Sequence, residues 1–268
     1  MLYALCAMPS NMLAYETHGQ GKPVVLLHAF PLSRKMWEPQ IAPLSKKYRL
    51  ILPDLPGFGE SKRLAKPSIL DAARELEALL ISLKIEEPVV LGGLSMGGYA
   101  ALELLRQFPE RKVSAFALMS SRATADSAEM KEKRAQGIET IRQHGLKPYA
   151  RKLVTTLTGK TTQEKNPALV EKVLNLMLSS PAEAVTDALS ALAERRDNTA
   201  ALQSYKGPLM ILTGEEDGAA FIEEGKAMHQ MKPGSEFHSL AQAGHLINLE
   251  KTEEFNSMLS AFLSKHAR

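Results

Sequence analysis

One serine of the chain lies between two glycines at a spacing that could make it a nucleophile. Gly93, Ser95 and Gly97 fit the pattern Gly-x-Ser-x-Gly, with a short apolar run before it and an amphipathic helical pattern after it. A serine on such a sharp strand-to-helix turn takes a strained backbone conformation, and the glycines avoid clashes with neighbouring backbone. The turn also points the N–H group of Met96 at the space above Ser95, where the positive end of the helix favours an anion. The pattern therefore predicts a nucleophile and half of an oxyanion hole.

A serine hydroxyl is a poor nucleophile unless a base takes its proton, and the seven histidines of the chain are candidates for that base. His245 stands in a predicted loop between the last strand and the last helix, from which an imidazole can reach over Ser95. His28 also ends a predicted strand, where a histidine more often holds the following loop. We therefore predict His245 as the base.

A carboxylate that orients the imidazole should follow an earlier strand. The predicted strand 209–213 is followed by a turn glycine and then by three carboxylates. We predict that Asp217 is the acid, because the glycine after it lets the loop curl back. The alternatives are Glu215 and Glu216 in the same loop, and Asp126 after an earlier strand.

The loop that follows the predicted strand 23–28 is expected to supply the second oxyanion donor, the N–H group of Phe30. Two backbone donors aimed at developing negative charge lower the barrier to acyl transfer. Trp37, in a short helix after this loop, is expected to crowd the acyl site together with Phe30 and Met96. Ordinary packing in the core is the alternative for these three side chains.

Strands and helices alternate around these residues, which predicts an α/β fold with a mostly parallel, doubly wound sheet. The alternation stops in residues 121–204, where only helical patterns occur. Residues 1–120 and 205–268 are expected to form one core. Residues 121–204 are expected to form an all-helical lid at the strand ends, where ligands bind in open α/β sheets. Helical packing with no part in substrate entry is the alternative.

Capping residues place the start of three helices. Ser68 with Asp71, and Ser180 with Glu183, fit the capping-box spacing. Asn166 stands before a proline, which predicts a cap followed by a first-turn proline.

The composition is that of an ordinary soluble globular protein. The 268 residues are 44% hydrophobic and 24% charged, with a formal net charge of +3. No basic stripe with aromatic residues indicates nucleic acid, and no apolar run approaches the ~20 residues of a membrane helix. Cys6 is the only cysteine, which excludes an internal disulfide and a cysteine-based metal site. We expect a cytoplasmic protein without cofactor, metal, nucleic-acid or membrane partner; the sequence leaves the oligomeric state open.

Taken together, the motifs resemble the α/β-hydrolase superfamily over nearly the whole chain. Within it, the chain resembles the small lid-bearing carboxylesterases, such as 3-oxoadipate enol-lactonases and pimeloyl-carrier-protein methyl ester esterases. Ala29 departs from the His-Gly pair of most relatives but leaves the Phe30 N–H group available. The order Ser95, Asp217, His245 is the one expected on this fold. The matching stretches are residues 28–31, 54–61, 93–97, 214–217 and 244–245.

These observations predict a cofactor-free serine esterase or lactonase that acts on a small-molecule ester or lactone through an acyl-enzyme. Perhydrolysis, amide cleavage and C–C bond hydrolysis use the same triad and remain alternatives, as does a slow ligand sensor on the hydrolase fold. Dehalogenase and epoxide-hydrolase chemistry is disfavoured because those relatives carry aspartate at the position of Ser95. The segment 121–204 holds a single aromatic residue, Tyr149, so it is expected to close a compact pocket.

Overall fold

The computed structural model describes residues 13–267, and a seven-stranded sheet lies at the centre of this part of the chain. In chain order the strands are β1 (Tyr15–His18), β2 (Pro23–Leu27), β3 (Arg49–Pro53), β4 (Val89–Leu94), β5 (Val113–Met119), β6 (Leu209–Gly214) and β7 (Glu236–Leu240). Their spatial order is β1-β3-β2-β4-β5-β6-β7. β1 pairs with β3 in antiparallel fashion and the other neighbouring pairs are parallel, which confirms the predicted mostly parallel sheet.

Helices connect the strands. In chain order they are a 3-10 turn (Arg34–Trp37), α1 (Glu38–Leu44), α2 (Ile69–Ser82), α3 (Met96–Gln107), α4 (Ala128–His144), α5 (Leu146–Leu157), α6 (Lys160–Lys165), α7 (Pro167–Leu178), α8 (Ala182–Ala193), α9 (Thr199–Ser204), α10 (Gly218–Met231), α11 (Ile247–Glu250) and α12 (Thr252–His266). Among residues 13–267, no helix combines the length and the apolar character needed to cross a bilayer. Cys6 lies outside the described residues.

Successive side chains of the central strands point to opposite faces of the sheet. Val25 and Leu27 pack into one buried apolar cluster together with α2 and α3. Val24 and Leu26 pack into a second cluster together with α1 and α12. Because both faces are covered, β2, β4 and β6 consist entirely of buried residues, as parallel strands do. This confirms the predicted doubly wound α/β architecture.

The segment 121–204, called the helical insertion below, contains α4 to α9 and no strand, and the structure describes all of it. Its helices share the core of the rest of the protein. Val185 and Leu189 of α8 belong to the first cluster, and Val173 and Met177 of α7 belong to the second. That the insertion acts as a lid on a core formed by residues 1–120 and 205–268 stays a prediction.

Two of the three predicted helix caps are confirmed. Ser68 and Asp71 form a reciprocal capping box at α2, and the Asn166 side chain accepts a hydrogen bond from the backbone N–H of Leu169 at 3.1 Å. The prediction for Ser180 is wrong, because α8 has Pro181 at its N-cap and no side-chain cap. The buried Ser180 hydroxyl instead donates to the carbonyl oxygen of Pro31 at 2.9 Å, a tertiary partner that displaces the local one.

Candidate active site

Ser95 forms the turn between β4 and α3 and has a strained backbone, with φ 53° and ψ −112°. The glycines around it are required by close contacts. A Cβ atom on Gly93 would lie 2.3 Å from the carbonyl carbon of Gly97, and one on Gly97 would lie 2.2 Å from the carbonyl oxygen of Leu27. The structure therefore supports the steric reason given for the Gly-x-Ser-x-Gly spacing.

Hydrogen bonds from neighbouring elements hold the strained turn. The backbone N–H of Ser95 donates to the carbonyl oxygen of Met119 at 2.8 Å. The Ser95 carbonyl accepts from the N–H of Gly98 at 2.9 Å and from the hydroxyl of the buried Ser121 at 3.0 Å. Sequence reasoning missed Ser121. The available signal was its position two residues after β5, the strand next to β4.

The structure brings His245 and Asp217 together. Nδ1 of His245 lies 2.7 Å from Oδ1 and 2.9 Å from Oδ2 of Asp217, and both residues are buried. Asp217 follows β6, and His245 follows β7, whose carboxyl end lies at the same sheet edge as that of β6. The backbone N–H of His245 donates to the carbonyl oxygen of Leu157. In the described part of the chain, residues 13–267, no hydrogen bond joins His245 to Ser95.

The alternative acids have other partners. Glu215 is exposed and accepts from the hydroxyl of Ser239 at 3.0 Å. Glu216 accepts two hydrogen bonds from Thr161, which hold its pKa below the ordinary value. Asp217 is thus the member of the loop that reaches His245.

Asp126 forms ion pairs with Arg134 of α4 and with Arg195, which follows α8. Burial raises the pKa of Asp126, but the hydrogen bonds and charges of the two arginines outweigh that effect, so this pKa lies below its ordinary value. The ion pair of Asp126 with Arg195 therefore links the first residues of the helical insertion to its last part.

An aromatic side chain that the sequence did not indicate packs on the imidazole. The ring of Phe221 in α10 lies edge-on to that of His245, with 4.7 Å between ring centroids. The guanidinium of Arg122 lies 4.3 Å from the centroid of the Phe221 ring. These contacts limit the orientations open to the imidazole.

Phe30 and Met96 lie at one edge of the sheet. Leu27, at the end of β2, pairs in register with Gly93 of β4, so the segments that follow these strands run side by side. Met96 is the first residue of α3, and its N–H therefore has no acceptor within the helix.

His28 fixes the loop that carries Phe30. The Nδ1–H of its buried imidazole donates to the carbonyl oxygen of Ala29 at 3.0 Å, and its Nε2 accepts from the N–H of Leu55 at 2.8 Å. These two bonds define the tautomer and agree with the loop-holding role favoured for this histidine.

Trp37 is fully buried, and its ring lies 6.2 Å from that of Phe255 in α12. It belongs to the apolar cluster between the sheet and α1 and α12. These are the surroundings of a core residue, which was the alternative for Trp37, and they bring no support to a place in a substrate pocket. In the described part of the chain, no three His, Cys, Asp or Glu side chains form a group that could hold a metal ion.

Comparison with known proteins gives related enzymes over nearly the full length. A family model described as the alpha/beta hydrolase fold matches residues 22–252. The AB hydrolase superfamily protein YisY of Bacillus subtilis is 31% identical, with 93% of this chain and 94% of that protein covered. The 3-oxoadipate enol-lactonase 2 of Acinetobacter baylyi is 29% identical, with 94% of this chain and 93% of that protein covered.

A solved structure of a thermophilic esterase from Thermogutta terrifontis, with malate bound, is 37% identical to this chain. It superposes with a TM-score of 0.89 and covers 94% of this chain and 93% of its own. The fold points to the same family as these comparisons, through its sheet order and through the serine turn between β4 and α3. The chain therefore belongs to the α/β-hydrolase fold family, in the branch that holds esterases and enol-lactonases.

Proposed function

We propose that this carboxylic ester hydrolase works through an acyl-enzyme formed on Ser95, with His245 as base and Asp217 as the acid that orients it. The observation that carries the proposal is the bond between His245 Nδ1 and Asp217 Oδ1, at 2.7 Å, on the sheet edge where the strained Ser95 turn lies. A carboxylate at Nδ1 keeps the proton on that nitrogen and leaves the lone pair of Nε2 free to accept the serine proton.

In the proposed reaction, Ser95 Oγ attacks the ester carbonyl carbon while His245 Nε2 takes the hydroxyl proton. The oxyanion of the tetrahedral intermediate is held by the N–H groups of Phe30 and Met96. The C–O bond to the leaving group then breaks, and the imidazolium returns its proton to the departing alcohol. In the second half, His245 takes a proton from water as the water oxygen attacks the acyl carbon. The bond from that carbon to Ser95 Oγ then breaks, the imidazolium returns the proton to Ser95, and the acid is released.

Hydrogen bonds between a catalytic serine and its base commonly tighten only when substrate is bound. The distance that matters is therefore the one in the acyl-transfer complex. The bond from Asp217 and the contact with Phe221 restrict the orientations that the imidazole can take. This preorganisation supports His245 in the role of base.

The proposed substrates are small esters and lactones. Relatives of this chain are named for an enol-lactone and for the methyl ester of a carrier-bound acid.

Among residues 13–267, the exposed large hydrophobic side chains are Tyr15 and Ile81, and neither lies in the helical insertion. Tyr149 packs on Gly137, and burial raises its pKa to about 12. The insertion thus offers no broad apolar face for a lipid surface.

Labelling with a serine-directed organophosphonate tests the nucleophile. We expect one label per chain, located by peptide mass spectrometry on Ser95, and loss of esterase activity in proportion to labelling. A Ser95→Ala variant should take up no label. Label on a different serine, or full activity after complete labelling of Ser95, would refute the proposed mechanism.

A further inference from the structure

Glu250, a carboxylate that the proposed mechanism does not use, holds the loop that carries His245. It is the last residue of α11 and accepts hydrogen bonds from the backbone N–H groups of Gly244 and Leu246, each at 3.1 Å. These two residues flank His245 on either side. The carboxylate therefore fixes the backbone immediately before and after the imidazole.

The same carboxylate binds the helical insertion. It accepts from the backbone N–H of Gly159 at 2.8 Å and from the hydroxyl of Thr162 at 2.7 Å, at the start of α6. The N–H of His245 itself donates to the carbonyl oxygen of Leu157, the last residue of α5, at 3.1 Å. The junction between α5 and α6 and the His245 loop are thus one hydrogen-bonded unit.

Glycines let the two backbones touch at this junction. A Cβ atom on Gly244 would lie 2.2 Å from the backbone nitrogen of Gly159, and one on Gly159 would lie 2.8 Å from the nitrogen of Gly244. No side chain fits between the segments. The position of the His245 loop is therefore coupled directly to that of the insertion.

The loop that carries Asp217, the proposed acid, is also hydrogen-bonded to the helical insertion. Glu216, next to Asp217, accepts from the N–H of Thr161 at 2.8 Å and from its hydroxyl at 2.6 Å. The N–H of Glu216 donates to the carbonyl oxygen of Ala243 at 2.7 Å. The start of α6 therefore bonds to both loops, the one with His245 and the one with Asp217.

We propose that Glu250 is a positioning residue, which holds His245 between Asp217 and Ser95 by tying its loop to the α5–α6 junction of the insertion. Hydrogen bonds to an ionised carboxylate are stronger than neutral ones, and four donors converge on this one. The inference rests on the proposed function of His245. It makes the α5–α6 part of the insertion a fixed support of the site.

The test compares Glu250→Ala and Glu250→Gln with the matched control Glu253→Ala, which removes an exposed carboxylate from the first turn of α12. The readouts are kcat and KM for 4-nitrophenyl acetate, with kcat expressed per active site titrated to completion with a phosphonate. Titration separates a slower site from a smaller folded fraction, so a purely structural role would leave kcat per site unchanged.

We expect Glu250→Ala to lower kcat per site by about 10- to 100-fold with KM changed less than about threefold, since small misplacement of a catalytic group costs up to about 10²-fold. Glu250→Gln should lower kcat per site by only about two- to fivefold, because its amide oxygen can still accept from Gly159, Thr162 and Gly244 whereas its amide nitrogen cannot accept from Leu246. Glu253→Ala should match the unmodified enzyme.

Wild-type kcat per site in Glu250→Ala would overturn the inference. If that variant does not fold, Glu250→Gln decides: a loss of about twofold or more in kcat with unchanged KM supports the role, and an unchanged kcat refutes it. Ser95→Ala, measured alongside, tests the proposed function separately. If Ser95→Ala is inactive and the Glu250 variant keeps its kcat per site, only this inference is refuted. If Ser95→Ala is active, the proposed function is refuted.

Discussion

Asp217 places both of its carboxylate oxygens within 2.9 Å of His245 Nδ1, although the two residues are 28 positions apart in the chain. The contact exists because β6 and β7 are parallel neighbours whose carboxyl ends lie at one edge of the sheet. It settles which ring nitrogen of His245 carries the proton when the imidazole is neutral. The predictions for the site start from this pair.

Replacing Asp217 by Asn should lower kcat by roughly 10³- to 10⁴-fold, because the imidazole loses the partner that fixes its tautomer and stabilises its charged form. Steady-state kinetics on 4-nitrophenyl acetate measures the effect. The matched control is Asp126→Asn, assayed at a temperature where that variant is folded, and it should retain most of the activity. The opposite result for the two variants would assign the acid to the loop after β5.

Asp126→Asn should instead lower the free energy of unfolding, by about 3–5 kcal/mol, because it leaves the buried Arg195 and its neighbour Arg134 without their carboxylate. Denaturant unfolding of the two proteins measures the difference. The pKa of Asp126 lies below its ordinary value of 3.8, so its contribution is present above that pH and is lost as the pH falls below it. The difference between variant and parent should therefore shrink in acid, and a constant difference would contradict the assignment.

Protonation of His28 should lower the free energy of unfolding as the pH falls below about 6.5. Burial lowers the pKa of His28 beneath its ordinary value of 6.5, against opposing effects of the Ala29 carbonyl and Asp54. The unfolded chain then binds the proton more readily than the folded one, so the unfolding free energy declines from pH 6.5 downward. Protonation would also break the bond that Nε2 accepts from Leu55.

Urea unfolding of the parent and of His28→Gln between pH 7 and 5 measures this contribution. Both proteins share the other six histidines, so their difference reports His28. The variant should show the shallower loss of stability in acid. Parallel pH profiles for the two proteins would show that His28 does not titrate as its burial requires.

Substrate size tests the expectation that the helical insertion closes a compact pocket. Each acyl methylene that fits can contribute up to ~0.8 kcal/mol, and chains beyond the pocket wall cost about 1–3 kcal/mol through overpacking. The kcat/KM values on 4-nitrophenyl esters should therefore peak at short acyl chains and fall for long ones, with no activation at an oil–water interface. A maximum of kcat/KM on long-chain esters, or a jump in activity above the solubility limit of the substrate, would indicate that the insertion acts as a lipase lid.

The sequence predicted the elements whose signals are local. The predicted strands 23–28 and 209–213 each agree to within one residue with β2 and β6, and the capping-box spacing at Ser68 placed the start of α2. The Gly-x-Ser-x-Gly spacing predicted the strained turn at Ser95, because the steric requirement lies within five consecutive residues.

Contacts between distant segments could not be read in the same way. Glu250 binds Gly159, 91 residues away, and nothing near either residue in the sequence signals that pairing. Phe221 reaches His245 through the packing of α10 on the loop after β7, which no periodicity specifies. The error at Ser180 has the same origin, since its hydroxyl found a tertiary partner in Pro31 and did not cap its own helix.

The central claim is that Ser95 Oγ is the nucleophile, and the kcat of Ser95→Ala tests it most directly. The matched control is Ser121→Ala, which removes a buried hydroxyl that donates to the Ser95 carbonyl and should change kcat less than about tenfold. Both variants are assayed on 4-nitrophenyl acetate after their folded state has been verified by thermal unfolding. The account predicts a loss on the order of 10⁶-fold for Ser95→Ala. A Ser95→Ala enzyme that retained more than about a hundredth of the parent kcat would contradict it.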